Sequence, residues 1–413
     1  MAGRFFIETL GCPKNQVDSD KLVGTFLADG LRPTERPGDA DLVVVNTCAF
    51  IEEARRESID TILALAAARR PGARLVVTGC LAERYGAELA EAMPEVDRVA
   101  GFGVPIALGR KAAGSEVPRL DLLNLPRPPA AAPWAYVKVA EGCDRACGFC
   151  AIPSFRGKQR SRSMEATLAE VDALDAQEIV LVAQDLASYG RDQGVGERAI
   201  VPLVTAVAAK VPRVRLLYLY PSDLTDALVD TICSTRVPYF DLSLQHVSAP
   251  LLRRMRRWGD GDRFRRRIDA IREREPDAIF RSNFIVGYPG ETEADHDELL
   301  RFVDEVRLDW CGLFAFSEEA GTYAATLEGR VPDALVAERM AELREAQDAI
   351  TASARDQLVG RRVEVLVDEA GSGRTYREAP EIDGVVTVPP TLAVGSFATL
   401  TVTGALGPDL EAA

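Results

Sequence analysis

Residues 143–150 read CDRACGFC and place three thiols, Cys143, Cys147 and Cys150, within eight residues. A disulfide takes two thiols, and a closed zinc site takes four ligands drawn from Cys and His. No fourth Cys or His lies near, the next being Cys233 and His246. Soft iron favours thiolates, so the trio suits an iron–sulfur cluster in which one iron of a four-iron cube stays open to a ligand that reacts. His246 and His296 are the chain's two histidines, which leaves little scope for His-based zinc sites or hydrolase triads.

A second trio is spread along the first eighty residues. The runs FFIETLGC, DLVVVNTC and RLVVTGC are apolar and rich in β-branched residues, and they end in Cys12, Cys48 and Cys80. Sites in an open α/β sheet form beyond the carboxyl ends of its strands, where three such thiols could converge. The alternative is that all three are ordinary buried thiols. Matched placement at three strand ends favours a second three-thiolate cluster. Cys233, in the helical pattern DALVDTICS, and Cys311, in an apolar strand, read as core thiols.

The elements that must position these residues follow from periodicity. Strand-like runs alternate with helical stretches such as Glu52–Arg70, and VDRVAGFG supplies a fourth strand, which predicts a parallel α/β sheet over residues 1–105. Residues 106–132, rich in Pro, Ala and Gly, read as a linker. Over 133–350, six runs (AYVKVAEGC, EIVLVAQD, VRLLYLYP, YFDLSLQH, IFRSNFIVGYP and WCGLFAFS) alternate with helical segments and predict a partial (β/α)6 barrel, two units short of a closed one. Its site belongs at the carboxyl ends of the strands, beside Cys143, Gln184 with Asp185, Pro221, Gln245 with His246, and Gly287. A long helix from Asp333 to about Asp356 leads into residues 351–413, whose short strands and glycine turns predict a small antiparallel β-barrel. The fold class is therefore α/β with a C-terminal β-barrel.

Composition bounds the partners. The 413 residues are 47% hydrophobic and 27% charged, with a net charge of −14, which argues against holding nucleic acid by bulk electrostatics. The start MAGRFFIETLGC lacks the pattern of a signal peptide, and no apolar run approaches the length of a membrane span, so the expectation is a cytoplasmic protein with neither membrane nor DNA as partner.

C-x3-C-x-F-C, with Phe149 before its last cysteine, resembles the signature of the radical S-adenosylmethionine (SAM) enzymes. With the N-terminal cysteine trio and the C-terminal small barrel (a TRAM domain), the architecture resembles the methylthiotransferases of that superfamily over essentially its full length. The resemblance implies two [4Fe-4S] clusters and SAM, the first on Cys12, Cys48 and Cys80 and the second on Cys143, Cys147 and Cys150. It implies that SAM, bound at the open iron of the second cluster and reduced, yields a radical that removes hydrogen from an unactivated carbon. The auxiliary cluster then supplies sulfur, a second SAM supplies the methyl group, and a separate electron donor supplies reducing power.

Within the family, GCPKNQVDSD (11–20), CAIPSFRGKQRSR (150–162) and PEIDGVV (380–386) resemble the branch that acts on the β-carbon of an aspartate in the twelfth small-subunit ribosomal protein, free or in the assembling subunit. The alternatives are the branch that modifies transfer-RNA adenosine and a non-catalytic iron–sulfur RNA-binding protein. Asp20, where Glu is usual, and Leu186 in QDLASYG depart from the pattern. The resemblance further implies SAM-pocket roles for Phe149 and for Gly287, whose alternative is a structural turn. Gln184 and Gln245, at strand ends facing the expected pocket, could hydrogen-bond SAM or substrate or be surface polar residues, and Arg156, beside the matched motif, could grip the SAM carboxylate or the target aspartate.

From Thr351 onward five Arg and no Lys face nine acidic residues, a net of −4, which suits a basic protein partner, with Glu378, Glu381 and Asp383 as candidate contacts. Arg160 and Arg162 read as surface charges. The ten arginines of residues 251–275 read as a solvated helix face whose apolar side carries Met255, Phe264, Ile268 and Ile271. His246 and His296 read as structural.

Overall fold

Each long apolar run forms a strand. The computed structural model describes residues 3–106, 120–194 and 199–413, and the chain divides into two units, one of residues 1–129, 138–145 and 151–166, the other of 130–137, 146–150 and 167–413. Residues 107–119 of the expected linker lie outside the described residues.

In the first unit, strands Arg4–Thr9 (β1), Arg32–Pro33 (β2), Leu42–Thr47 (β3), Arg74–Gly79 (β4) and Arg98–Val99 (β5) form one parallel sheet in the order β2-β1-β3-β4-β5. Helices Pro13–Ala28 (α1), Glu52–Ala68 (α2) and Cys80–Ala92 (α3) follow β1, β3 and β4. α2 stops before the expected Arg70 because Pro71 disfavours helical backbone in the residue preceding it. All six residues of β3 are buried, as a central strand covered on both faces requires. Val43 and Val45 pack with Ile62, Leu65 and Leu81 on one face, while Leu42 and Val44 pack with Phe5, Leu22 and Phe26 on the other. Thr9 stands opposite Asn46, and Asn46 opposite Thr78, so β1, β3 and β4 stop level at one edge. Ala140–Glu141 (β7) and Arg160–Ser161 (β8) pair antiparallel on either side of the short helix Ile152–Arg156 (α4).

The second unit contains the six strands expected of a partial barrel: Trp134–Lys138 (β6), Glu178–Val182 (β9), Arg213–Leu216 (β10), Tyr239–Gln245 (β11), Ile279–Val286 (β12) and Trp310–Ala315 (β13). They form the sheets β10-β9-β6 and β11-β12-β13, joined by one parallel bridge between Leu219 and Leu242. Helices Met164–Leu174 (α5), Ile200–Ala208 (α6), Asp226–Ser234 (α7), Ala249–Arg254 (α8), Gly261–Arg274 (α9) and Glu293–Val306 (α10) lie between the strands, and Asp333–Asp356 (α11) follows. Strands Arg362–Glu369 (β14), Ser372–Arg374 (β15), Val386–Thr387 (β16), Phe397–Leu406 (β17) and Asp409–Ala412 (β18) close a barrel in the order β14-β15-β16-β18-β17. Its pairings are antiparallel except for parallel β16 and β18. Val365, Val386, Val402 and Leu410 fill it. No helix among the described residues is long and apolar enough to cross a membrane.

The small barrel is tied to the amino-terminal ends of the partial barrel's strands. Glu178, at the start of β9, is fully buried; it pairs with Arg215 of β10 at 2.8 Å and Arg374 of β15 at 3.2 Å. Arg213, at the start of β10, donates to the carbonyls of Arg374 (3.1 Å) and Glu364 (2.9 Å). Tyr136 of β6 donates to the Pro380 carbonyl, and Trp310 of β13 to that of Arg377, each at 2.8 Å.

This seam corrects the reading of Glu378 and Asp383 as docking contacts. Glu378 is buried against Arg355 and accepts from the Thr375 hydroxyl, whereas Asp383 accepts from Tyr239 at 2.6 Å and lies 3.5 Å from Arg281. Of the three, only Glu381 is exposed.

Burial alone would raise the Glu178 carboxyl, yet Arg215, Arg374 and Arg213 outweigh it and hold the group down at about 2. Because the folded-state value is depressed, this stabilisation is fully present above the ordinary carboxylate range and is lost as pH falls through about 2. Glu178→Ala leaves buried arginines without a counter-charge and is expected to cost about 3–5 kcal/mol in urea unfolding at neutral pH. The variant's deficit should shrink as pH falls toward 2.

Candidate functional site

In the first unit the three level strand ends deliver Cys12, Cys48 and Cys80 to one edge. Cys12 caps α1 and Cys80 opens α3, placing both at helix N-termini, where backbone dipoles favour a thiolate. Burial works against ionisation of Cys12, but Lys14, Arg156 and the backbone N–H groups of Asn15 and Lys14 outweigh it and lower the thiol's pKa. Burial pushes Cys48 up to about 12, and the neighbouring Cys12 and Cys80 add to the shift. Burial likewise raises Cys80, against the opposing pull of Arg156. The thiols therefore lie close enough to repel one another as thiolates.

The chain at this edge is tightly fitted. Gly11 has φ +91°, and a Cβ there would come 2.7 Å from that of Cys48. Asn15 donates to the carbonyls of Leu10 (2.9 Å) and Thr47 (3.0 Å), tying the Cys12 loop to the end of β3. Its Oδ1 accepts at 2.7 Å from Arg156, which also lies 3.1 Å from Cys80 Sγ. Arg156 pairs with Glu141 at 2.8 Å and Asp18 at 3.6 Å, its guanidinium stacked over Phe102. Lys138 pairs with the same two carboxylates. Arg156 thus stands with the Cys12 trio, engaged on every side, and is not free to grip the carboxylate of a SAM molecule. Among the described residues, no three His, Cys, Asp or Glu side chains form a group that could hold a single metal ion. A cluster binds its thiolates at separate corners, and its cationic irons would offset the burial, and the lesser thiolate repulsion, that raise the Cys48 thiol, so this donor set fits a cluster better than a lone ion.

Of the second trio, Cys143 is described with the first unit and Cys147 and Cys150 with the second. The Cys143 N–H donates to Gly157 at 3.1 Å. Gly148 between the other two donates to the Met255 carbonyl (2.8 Å) and accepts from Ala324 (2.7 Å), and a Cβ there would meet the Tyr288 hydroxyl. Arg257 lies 3.3 Å from Cys147 Sγ, donates to the Ser243 carbonyl and stacks over Tyr220.

The remaining candidates in the second unit are more dispersed. Gln184 follows β9, Gln245 ends β11 with φ +74°, and both are half-buried, as is Phe149. Left-handed backbone at a non-glycine residue is costly, and it recurs at Tyr218 after β10, so two neighbouring strands carry it at their carboxyl ends. Gly287 follows β12, but its N–H is already given to Glu291 at 2.5 Å, and Glu291 in turn pairs with Arg339 of α11.

Other readings change in the folded chain. Arg160 is exposed and pairs with Asp121, as a surface charge would, but Arg162 is buried and holds Asn124 and the Lys138 carbonyl. His296 pairs with Glu342 at 2.7 Å, and burial lowers the pKa of His246 to about 4. Cys311 is half-buried, and burial pushes its thiol up to about 12. The arginine-rich segment forms two helices, with Arg265, Arg267 and Arg274 paired to Glu305, Asp226 and Asp230. Sequence reasoning missed Asn15, Asp18, Lys138, Glu141 and Arg257 as neighbours of the thiols. Asn15 and Asp18 stand in the GCPKNQVDSD stretch, which was a signal, whereas Arg257 was lost among ten arginines.

Residues 4–101 match the Uncharacterized protein family UPF0004, 137–303 the Radical SAM superfamily and 359–413 the TRAM domain. The chain is 43% identical to a protein of Moorella thermoacetica (strain ATCC 39073 / JCM 9320) over 93% of each chain. It is 42% identical to one of Anaeromyxobacter sp. (strain K) over 99% of this chain and 93% of the relative. Both are named "Ribosomal protein uS12 methylthiotransferase RimO". The solved radical SAM methyltransferase TsrM from Kitasatospora setae aligns with a TM-score of 0.49 at 13% identity, over 86% of this chain and 90% of its own.

Gly11→Ala forces a side chain into a left-handed, filled position, a strain of about 1–3 kcal/mol. It is expected to disturb the edge that presents Cys12, Cys48 and Cys80; on the reading of each cysteine trio as a cluster site, anaerobically measured iron per chain should fall by about half.

Proposed function

The chain belongs to the RimO family of radical SAM methylthiotransferases, and from that membership we propose that it methylthiolates ribosomal protein uS12 in the cytoplasm, on the β-carbon of an aspartate. The observation that carries this reading is the pair of three-cysteine sets. Cys143, Cys147 and Cys150 would hold the [4Fe-4S] cluster at which SAM binds, and Cys12, Cys48 and Cys80 a second, auxiliary one. When bound, these groups supply hydrogen abstraction from an unactivated C–H bond and the sulfur that replaces the hydrogen. The target carbon suits such chemistry, because a methylene beside a carboxylate is too weakly acidic to be deprotonated near neutral pH.

The chain's own residues bind and orient. Asn15 and Arg156 fix the loops that carry Cys12 and Cys80, and Arg257 braces Cys147. Glu291 draws the Gly287–Tyr288 turn in with two backbone hydrogen bonds and anchors it to α11 through Arg339. Gln184 and Gln245 offer amides beside the SAM site. The protein substrate, free or within the assembling small subunit, and a reducing electron donor complete the system.

Mass spectrometry of uS12 from a deletion strain tests the substrate. The protein should be lighter by one methylthio group less one hydrogen, and a change confined to transfer-RNA nucleosides would favour the RNA branch instead. Replacing Cys143, Cys147 or Cys150 by Ala should abolish SAM cleavage. Replacing Cys12, Cys48 or Cys80 should leave cleavage intact and abolish methylthiolation, while iron falls from about eight per chain to about four.

A further inference from the structure

We infer that Arg156 is a positioning residue that sets the redox poise of the centre held by Cys12, Cys48 and Cys80, by donating an N–H to Cys80 Sγ; this rests on the reading of that trio as a cluster site. The side chain is 3% exposed and its guanidinium is divided by function. Nη1 faces the carboxylates of Glu141 and Asp18, while Nη2 faces Asn15 Oδ1 at 2.7 Å and Cys80 Sγ at 3.1 Å.

The carboxylates do not depend on Arg156 alone, because Lys138 pairs with both. What they add is orientation. They grip one edge of the fork, and Phe102, 4.4 Å from the guanidinium carbon, fixes its plane, so the other edge is aimed at the sulfur. A point charge such as Lys could satisfy the carboxylates or the sulfur, but it could not hold both in one geometry.

An N–H donated to a ligating thiolate, from a cation kept out of water, stabilises the reduced and more negative form of the centre and raises its potential. The carbonyl of Asn15 sharing Nη2 keeps that donor in place, and Asn15 is itself bonded to the ends of β1 and β3. The donor is thus built into the sheet edge that presents the thiols.

The test uses the full chain with Cys143, Cys147 and Cys150 replaced by Ala, so that only the first trio can load, and follows reduction of its centre by EPR during a redox titration. Arg156→Gln should lower the midpoint by at least a tenfold change in the reduction equilibrium, which is 59 mV for one electron, and Arg156→Lys should recover part of it. An unchanged midpoint in iron-replete Arg156→Gln overturns the inference. Where Arg156→Gln does not retain iron, the same background protein labelled with guanidino-15N arginine decides the matter. A 15N coupling to the reduced centre in pulsed EPR supports the contact, and its absence overturns it. A background protein that binds no iron overturns instead the assignment of the trio to a cluster, a result distinct from the other outcomes.

Discussion

Level termination of adjacent parallel strands is the constraint on which the first site rests. Side chains that are distant in sequence become neighbours only because β1, β3 and β4 pair in register and stop together. Each then turns into a loop or helix that begins at a cysteine or just beyond one. Nothing in this arrangement requires the thiols to be stable as neighbours. The burial that makes β3 a good central strand makes Cys48 a poor acid, and its two cysteine neighbours make it poorer.

Arginine performs two separate tasks in this acidic chain. Beside the thiols, Arg156 and Arg257 each bring a fixed N–H to a sulfur, while another N–H of each goes to an oxygen that helps keep the fork oriented. At the seam between the two barrels, Arg213, Arg215 and Arg374 surround one glutamate and also reach for carbonyls, so that charge and backbone contacts join the two. The net charge of −14 predicts neither arrangement, because both are decided by a few ångströms of local geometry.

Much of this was legible in the sequence wherever the signal was local or periodic. The six apolar runs of the partial barrel became six strands, and Asp333–Asp356 became one helix, because continuous apolar runs and a 3.6-residue period have few other solutions. The two-residue strands β2 and β5 were beyond such reading or shorter than read, since two residues carry no period. The cysteine sets could be proposed from spacing and strand ends. Arg156 could be singled out from its motif, but not its direction, because the choice between Cys80 and an incoming ligand is made by Glu141, Asp18 and Phe102, which are remote in sequence. Glu378 and Asp383 were misread for a related reason. Acidic residues in a small barrel look solvated until the tertiary partners Arg355, Arg281 and Tyr239 are in view.

The seam at the amino-terminal strand ends also bears on how the protein is made. Ribosomes synthesise residues 178–215 well before residues 362–412, so Glu178 and the two arginines of β10 emerge while Arg374 and the carbonyls of Glu364 and Tyr376 are still untranslated. Until then the Arg213 donors stay with water, because Glu364, Arg374 and Phe397, which meet its guanidinium, all belong to the later segment. The seam that joins the two barrels is therefore completed only after its second half has been translated, late in the synthesis of the chain.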